Sequence, residues 1–201
     1  MATIRKVWPH TLAFMYFEFG GERFDRKKYD LISPGLAVAR RASAEVDVGK
    51  GSGLRVLGDA EWDDRQLKYK LTSVTFTAQS GVGAGDLRLV SPSQLLLLIT
   101  AQSVSMVVGE PSGEQKLALA TDVFANMPRT DVAALRANGP TEQALLWVGL
   151  VYSYTRAMGA SPNKAVVDVL SLPQRTATRW IAAAKEQGFI ERPRDATPSN
   201  G

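Results

Sequence analysis

The side chains best suited to recognise another molecule lie near the C-terminal end of the chain. Arg175, Thr178, Arg179 and Ala182 recur at the three- and four-residue spacing that places side chains on one face of a helix. Arginine pairs with guanine through two hydrogen bonds, and threonine contacts a phosphate or the methyl group of thymine. Gln174, one residue earlier, carries the amide that pairs with adenine. These residue types at this spacing predict a helix that reads base edges in the major groove of DNA.

The opposite side of the same helix is apolar. The residues that recur there at helical spacing are Ala177, Trp180, Ile181 and Ala184. We expect the helix to run from Pro173 or Gln174 to Gln187, because Gly188 stands where a glycine commonly follows a helix. Phe189 supplies the apolar residue that often accompanies such an end. Trp180 is therefore predicted to lie in the core and not to form an exposed stacking surface for single-stranded bases.

Two further helices are predicted ahead of this one. Thr141 caps the first, and its apolar residues recur on one face until Gly159 ends it. Ser161-Pro162 starts a short second helix, with serine as the cap and proline in the first turn. The tight turn Ser171–Pro173 follows, and Leu172 is expected to fill the gap between the helices. A long helix, a short helix, a tight turn and a longer helix match the helix-turn-helix plan.

The segment from Pro162 to Glu191 resembles the C-terminal helix-turn-helix of many small proteins from actinobacteria and their phages. The residues that carry the resemblance are Lys164-Ala165-Val166, Leu170-Ser171-Leu172, Arg175-Thr176-Ala177, Trp180-Ile181 and Gly188-Phe189. Taken over the whole module at residues 139–192, the resemblance covers about a quarter of the chain, and it implies a β-rich region ahead of the module. It places the DNA contacts at Pro173, Gln174, Arg175, Thr178 and Arg179. The chain departs from the pattern at Ser171, where glycine is usual, and at Val167, where alanine is usual.

Lys164 and Lys185 are predicted as additional DNA contacts because each adds a positive charge near the same module. The alternative is that Arg175, Arg179 and Lys185 form an ordinary solvated helix face, since charged residues are common on exposed helices. The helix-turn-helix context favours the DNA interpretation.

The region before this module is predicted to be β-rich. Strands are expected at Thr11–Phe19, at Leu54–Leu57 and at Gln66–Thr77, where polar and apolar residues alternate. The alternation slips by one residue near Thr72–Ser73, which indicates a β-bulge or two separate strands. Gln79–Asp86 is rich in glycine but lacks the spacing of a phosphate-binding loop, so we expect a hairpin or a flexible connection.

Helices are expected later in the same region. Ser91–Val108 is ambiguous, because its first half has a serine cap and helical spacing whereas its valines favour a strand. We favour a helix there, and short helices at Glu114–Asn126 and Thr130–Ala137. Asn138-Gly139-Pro140 is a strong stop signal and marks the predicted domain boundary.

The expected fold class is therefore α+β. A β-rich N-terminal domain spans residues 1–138, and a tri-helical helix-turn-helix module spans residues 139–192. Residues 193–201 have almost no apolar content and are predicted to be a disordered tail.

Composition argues against catalytic chemistry. The chain has no cysteine and one histidine, His10, so thiolate metal sites and histidine-based catalysis have little to build on. Asp63-Asp64 is predicted to be a surface turn and not a metal site. The basic residues around Arg23–Lys28 and the pair Arg40-Arg41 are expected to be solvated, with a supporting phosphate contact as the alternative. We expect no enzyme activity, no cofactor and no metal.

The function that these patterns favour is sequence-specific binding of double-stranded DNA, as a transcription regulator or as a phage or recombination accessory factor. The alternative is a protein-protein interaction module in which the helix-turn-helix is only a scaffold, and the modest net charge of +4 supports it. A homodimer or a protein partner is expected to assemble through the N-terminal domain, at Gln66–Thr77 or at Leu95–Val108. No signal peptide is visible, and the apolar run Leu95–Ile99 is too short to span a bilayer, so a cytoplasmic protein without a membrane partner is expected.

Overall fold

A computed structural model describes residues 22–48, 53–109, 114–125 and 129–191. The fold is α+β, with antiparallel sheets followed by a mostly helical C-terminal region, as the sequence predicts. The strands are β1 Tyr29–Ser33, β2 Leu36–Ala39, β3 Arg41–Val48, β4 Leu54–Asp63, β5 Lys68–Thr77, β6 Val104–Val108 and β7 Lys116–Leu119. The helices are α1 Pro92–Ser103, α2 Ala120–Ala125, α3 Arg129–Ala137, α4 Glu142–Ala157, α5 Pro162–Val169 and α6 Gln174–Glu186, with a short 3₁₀ helix at Asp86–Arg88.

The first sheet contains four antiparallel strands in the order β1-β2-β6-β7. Its inner strands are buried on both faces: Leu36, Ala37 and Val38 of β2 and Val104 of β6 are inaccessible to solvent. A strand covered on both sides has a continuous apolar sequence and does not alternate. This is why β2 and β6 were not predicted as strands from period-two alternation. The edge strand β1 and the alternating strand β3 were missed as well, and burial on both faces does not explain them.

The second sheet contains three antiparallel strands in the order β3-β4-β5. The predicted strand at Leu54–Leu57 is present and continues to Asp63, whereas the predicted strand Gln66–Thr77 begins two residues later, at Lys68. The predicted bulge is confirmed. Ser73 pairs with Asp59 and Leu71 pairs with Ala60, which leaves Thr72 as the extra residue.

The expected helix over Ser91–Val108 is half right. Ser91 caps α1 in a capping box with Gln94, but the helix ends at Ser103 and the valines that follow form β6. The expected helix over Glu114–Asn126 also begins too early, because Lys116–Leu119 pairs with β6 as β7 before α2 starts. In both places pairing with a neighbouring strand overrides the local helical preference.

One continuous core joins the sheets to the C-terminal helices. Tyr69 of the second sheet donates its hydroxyl hydrogen bond to the Ala39 carbonyl of the first sheet at 2.7 Å. Helix α4 contacts β1, β2 and β5 on one side and α5 and α6 on the other. The same apolar cluster therefore contains Ile32 and Trp180, from either side of the predicted boundary at residue 138.

Among the helices of the described ranges, none combines the length and the apolar character needed to cross a bilayer. His10, the predicted strand Thr11–Phe19 and the predicted tail at residues 193–201 lie outside the residues that the structure describes.

Candidate nucleic-acid interface

Helix α4 is the support on which the candidate interface is built. The Thr141 Oγ1 accepts a hydrogen bond from the Ala144 amide at 3.3 Å and so caps the helix as predicted. Trp147, Val148 and Val151 are buried in the shared core. Because α4 is buried on nearly all sides, it fixes the positions of the two helices that pack on it, α5 and α6.

The connection between α5 and α6 is a tight turn of Leu170–Pro173. Leu170 and Leu172 are both buried, and Leu172 lies in the core between the helices as expected. Ser171 has a positive φ of 50°, a left-handed conformation that glycine adopts most easily. This is the position at which the resemblance implies glycine, and here a serine adopts the left-handed conformation that glycine favours.

Helix α6 has the two faces that its sequence predicts. Ala177, Trp180, Ile181 and Ala184 are buried against the other helices. Gln174, Arg175, Thr178, Arg179 and Ala182 are exposed on the other side. Trp180 is 7% exposed and Trp147 is 6% exposed, so neither indole presents a stacking surface.

All seven residues predicted to contact DNA are exposed, and the structure brings most of them together. Pro173 is the N-cap residue of α6, and Gln174, Arg175, Thr178 and Arg179 follow on the exposed side of its first two turns. Thr178 already donates its hydroxyl to the Gln174 carbonyl at 3.0 Å. Lys164 lies on the neighbouring helix α5.

Lys185 stands apart from this group. Its ammonium lies over the Tyr152 ring of α4, 5.2 Å from the ring centroid, which is the geometry of a cation–π contact. The side chain is therefore directed toward the junction of α4 and α6, at the edge of the exposed face and in the last turn of α6.

The arginines of α6 differ from the arginines on the strands in their ion pairing. Within the described ranges, Arg175 and Arg179 form no ion pair with a carboxylate. Five basic residues of the sheet region are instead paired: Lys28 with Glu22, Arg40 with Asp30, Arg41 with Glu61, Arg55 with Glu45, and Lys70 with Asp63. Within the same ranges the strand residues Lys68 and Lys116 form no such pair. The guanidinium groups of α6 are thus free to meet an anion.

Two other charged segments considered from the sequence, Arg23–Lys28 and Asp63-Asp64, lie at turns of the sheet region. The basic segment near Lys28 is a turn in which Glu22 accepts from the Tyr29 hydroxyl at 2.9 Å and from Lys28. These hydrogen bonds lower the pKa of Glu22, and burial raises the pKa of Tyr29 to about 12. Both effects keep the carboxylate charged and the phenol neutral near neutral pH.

Asp63 also has a structural role, at the turn between β4 and β5. Its carboxylate accepts from Lys70 and from the Arg65 and Gln66 amides, and the Lys70 hydrogen bond is the main cause that lowers its pKa. Across residues 22–48, 53–109, 114–125 and 129–191, no cluster of three or more His, Asp or Glu side chains is arranged to hold a metal ion.

Sequence reasoning missed one residue beside the turn. Arg136, in the last turn of α3, donates from Nη1 to the Ser171 carbonyl at 3.4 Å. The two residues are 35 positions apart, and Arg136 precedes the predicted boundary, so no periodic pattern connects it to the helix-turn-helix.

Comparisons of this chain with known protein families, with curated proteins and with solved structures give no significant match.

Proposed function

We propose that this chain binds double-stranded DNA in a sequence-specific manner through α6, as a transcription regulator or as a phage or recombination accessory factor. The observation that carries the proposal is the exposed, unpaired first half of α6, directly after the tight turn. Arg175 and Arg179 project from it beside Gln174 and Thr178, while its opposite face is locked in the core.

The chemistry of this surface suits the major groove. The groove admits one helix, and residues near the N-terminus of that helix reach the base edges. A free guanidinium forms two parallel hydrogen bonds with guanine, and an exposed glutamine amide does the same with adenine. A guanidinium engaged in a salt bridge would first have to leave its carboxylate, as those of Arg41 and Arg55 would.

The test is binding of the intact chain to a fluorescently labelled mixed-sequence duplex, measured by anisotropy between roughly 50 and 200 mM salt. We expect affinity to fall steeply with salt, because each phosphate contact contributes about 0.9 to the slope of log affinity against log salt. The double variant Arg175→Ala/Arg179→Ala should bind much more weakly. Arg41→Ala/Arg55→Ala removes the same charge from the three-stranded sheet and should bind as the unaltered protein does.

Two results would contradict the proposal. One is unchanged DNA binding by the α6 double variant with its circular dichroism spectrum intact. The other is binding that is absent or independent of salt in the unaltered protein, which would favour the protein-protein interaction function. If binding is present, selection from random oligonucleotides then identifies the preferred sequence.

A further inference from the structure

We infer that Arg136 is a phosphate-contacting residue of the DNA interface, so that the interface extends beyond the three helices to α3. This inference rests on the proposed function and deepens it. Its starting point is the hydrogen bond from Arg136 Nη1 to the Ser171 carbonyl, which places an exposed guanidinium beside the turn that leads into α6.

The position of the turn relative to DNA follows from the docking geometry. When the N-terminal half of a recognition helix enters the major groove, the turn before it lies at the edge of the groove, near the sugar-phosphate backbone. Ser171 is only three residues ahead of Gln174, the first residue of α6. A cation held at Ser171 is therefore close to the phosphates and away from the base edges.

The guanidinium of Arg136 also has capacity left for a phosphate. It carries five N–H donors, and the Ser171 carbonyl occupies one of them. Within the described ranges no carboxylate forms an ion pair with it. Its planar donor arrangement matches two oxygens of one phosphate, and the carbonyl contact orients the group before DNA arrives.

The way the Arg136 backbone is held in the core also supports a role in phosphate contact. Leu135, the residue before Arg136, is 8% exposed and belongs to the core that also contains Leu172 of the turn. Helix α3 is thus attached to the same apolar cluster as the helix-turn-helix, which fixes the Arg136 backbone relative to α6.

The experiment measures the salt dependence of binding to the labelled mixed-sequence duplex for the intact Arg136→Ala and Arg136→Lys variants. Arg55→Ala is the matched control, because it removes one charge from a strand of the three-stranded sheet. We expect Arg136→Ala to reduce the slope by about 0.9 and the affinity about eightfold at 0.1 M salt, as loss of one phosphate contact requires. Arg136→Lys keeps the charge and should retain most of the slope, and Arg55→Ala should leave the slope unchanged.

Thermal unfolding of each variant separates lost folding from lost binding, and Arg136→Gln replaces Arg136→Ala if the alanine variant fails to fold. Weaker binding at an unchanged slope would mean that Arg136 acts only by holding the Ser171 carbonyl, and would overturn the inference. A slope equal to that of Arg55→Ala would overturn it as well. If the unaltered protein shows no salt-dependent binding, the proposed function fails and this inference fails with it.

Discussion

The two arginines on the exposed face of α6 differ in position by one turn, and this separates their expected roles. Arg175 lies in the first turn, where a recognition helix reaches base edges, and Arg179 lies one turn further along. We expect Arg175→Ala to cost about 1–3 kcal/mol of binding free energy on the preferred sequence and to relax specificity at one base position. We expect Arg179→Ala to weaken all sequences alike and to flatten the salt dependence, as loss of a phosphate contact does.

Oligonucleotide selection with each single variant measures this difference. The control is Arg55→Ala, whose selected sequence should match that of the unaltered protein. Identical selected sequences for all three variants would contradict a base-reading role for Arg175.

Trp180 is expected to act on stability and only indirectly on binding. Its side chain is 7% exposed and packs in the core with the neighbouring helices. Trp180→Ala should lower the free energy of unfolding by roughly 3–5 kcal/mol because it leaves a large cavity. Urea unfolding measures the loss, and Trp180→Phe should lose less. A fully stable Trp180→Ala variant that no longer binds DNA would show that the indole is a contact surface.

Ser171 is strained by its backbone conformation. A left-handed φ costs an L-residue with a Cβ roughly 1–2 kcal/mol, whereas glycine has no such cost but loses more conformational entropy on folding, about 0.5–1 kcal/mol. Ser171→Gly should therefore raise the free energy of unfolding by up to about 1.5 kcal/mol and leave DNA affinity unchanged. The measurement is urea unfolding, with Ser161→Gly as the control, since Ser161 has an ordinary φ of −81°. A less stable Ser171→Gly variant would contradict the strain argument.

For single residues, the sequence alone predicted which side chains are buried where apolar and polar residues recur at helical spacing. The buried and exposed faces of α6 follow from the spacing of its residues, and its structure agrees. The contact between Arg136 and Ser171 could not be predicted, because it depends on how α3 and the turn pack and not on any local pattern.

The packing of α4 against the end of α6 depends on Gly149. A Cβ at this position would lie 2.4 Å from the Phe189 carbonyl oxygen and 2.9 Å from the Phe189 Cβ, so the chain after α6 runs directly against the α4 backbone. Gly149→Ala should destabilise the protein by about 1–3 kcal/mol through overpacking, less the roughly 1 kcal/mol that alanine gains over glycine in a helix.

Gly85→Ala is the matched control for this substitution. Gly85 has a φ of −66°, and a Cβ there would meet nothing within 4 Å, so alanine should be neutral or slightly stabilising. Thermal unfolding of both variants measures the change in stability that each substitution causes. A Gly149→Ala protein that is more stable than the unaltered protein would mean that Phe189 shifts freely and does not fix α6 against α4.

The sequence predicted some helices and strands more accurately than others, and the difference has a physical reason. The helices from α3 to α6 have start and stop residues and apolar residues at helical spacing, and each was predicted within a few residues. The caps were predicted less well: Thr141 caps α4, but Ser161 makes no side-chain cap bond and Thr130 and Asp131 lie inside α3. The segment Ser91–Val108 has apolar residues on every side, and what divides it into α1 and β6 is pairing of the valines with β2 and β7. Such pairing involves distant parts of the chain and leaves no local signature.

For the molecule as a whole, the two predicted regions share one apolar core. Helix α4 packs on β1, β2 and β5, so the surface that supports α5 and α6 is itself held by the sheets. The sequence indicated a boundary at residue 138 from the stop signal Asn138-Gly139-Pro140. The structure has a break there, because helix α3 ends at Ala137 and Gly139 adopts a positive φ of 73°. A break in secondary structure is readable from sequence, whereas the extent of a core is not. Binding experiments therefore require the intact chain.

The expected oligomeric state of the protein follows from how little DNA one helix can contact. One recognition helix contacts only a few base pairs, and the usual remedy is a symmetric pair of modules on neighbouring half-sites. Of the two segments expected to supply the contact surface, Gln66–Thr77 contains the edge strand β5, which exposes Val74 but also carries Lys68 and Lys70. In the other segment, Leu95–Val108, β6 is buried, but α1 exposes Leu97 and Leu98, which are 51% and 39% accessible. No charged residue occurs between Leu89 and Gly109. A second copy would thus bring the uncharged helix α1, with its exposed leucines, to an identical helix.

We therefore expect the protein to form a dimer through α1, alone or on DNA. Sedimentation of the intact chain should give a dimer, and Leu97→Glu/Leu98→Glu should give a folded monomer with weaker DNA binding, because the glutamates repel one another across the axis. Val82→Glu, at an equally accessible apolar residue in the glycine-rich loop, should leave the dimer intact. An unaltered protein that remains monomeric at high concentration and occupies its DNA site one-to-one would rule out the dimer. A dimer that both variants leave intact would place the contact on another surface, because two pairs of opposed glutamates cannot be accommodated in a closely packed apolar interface.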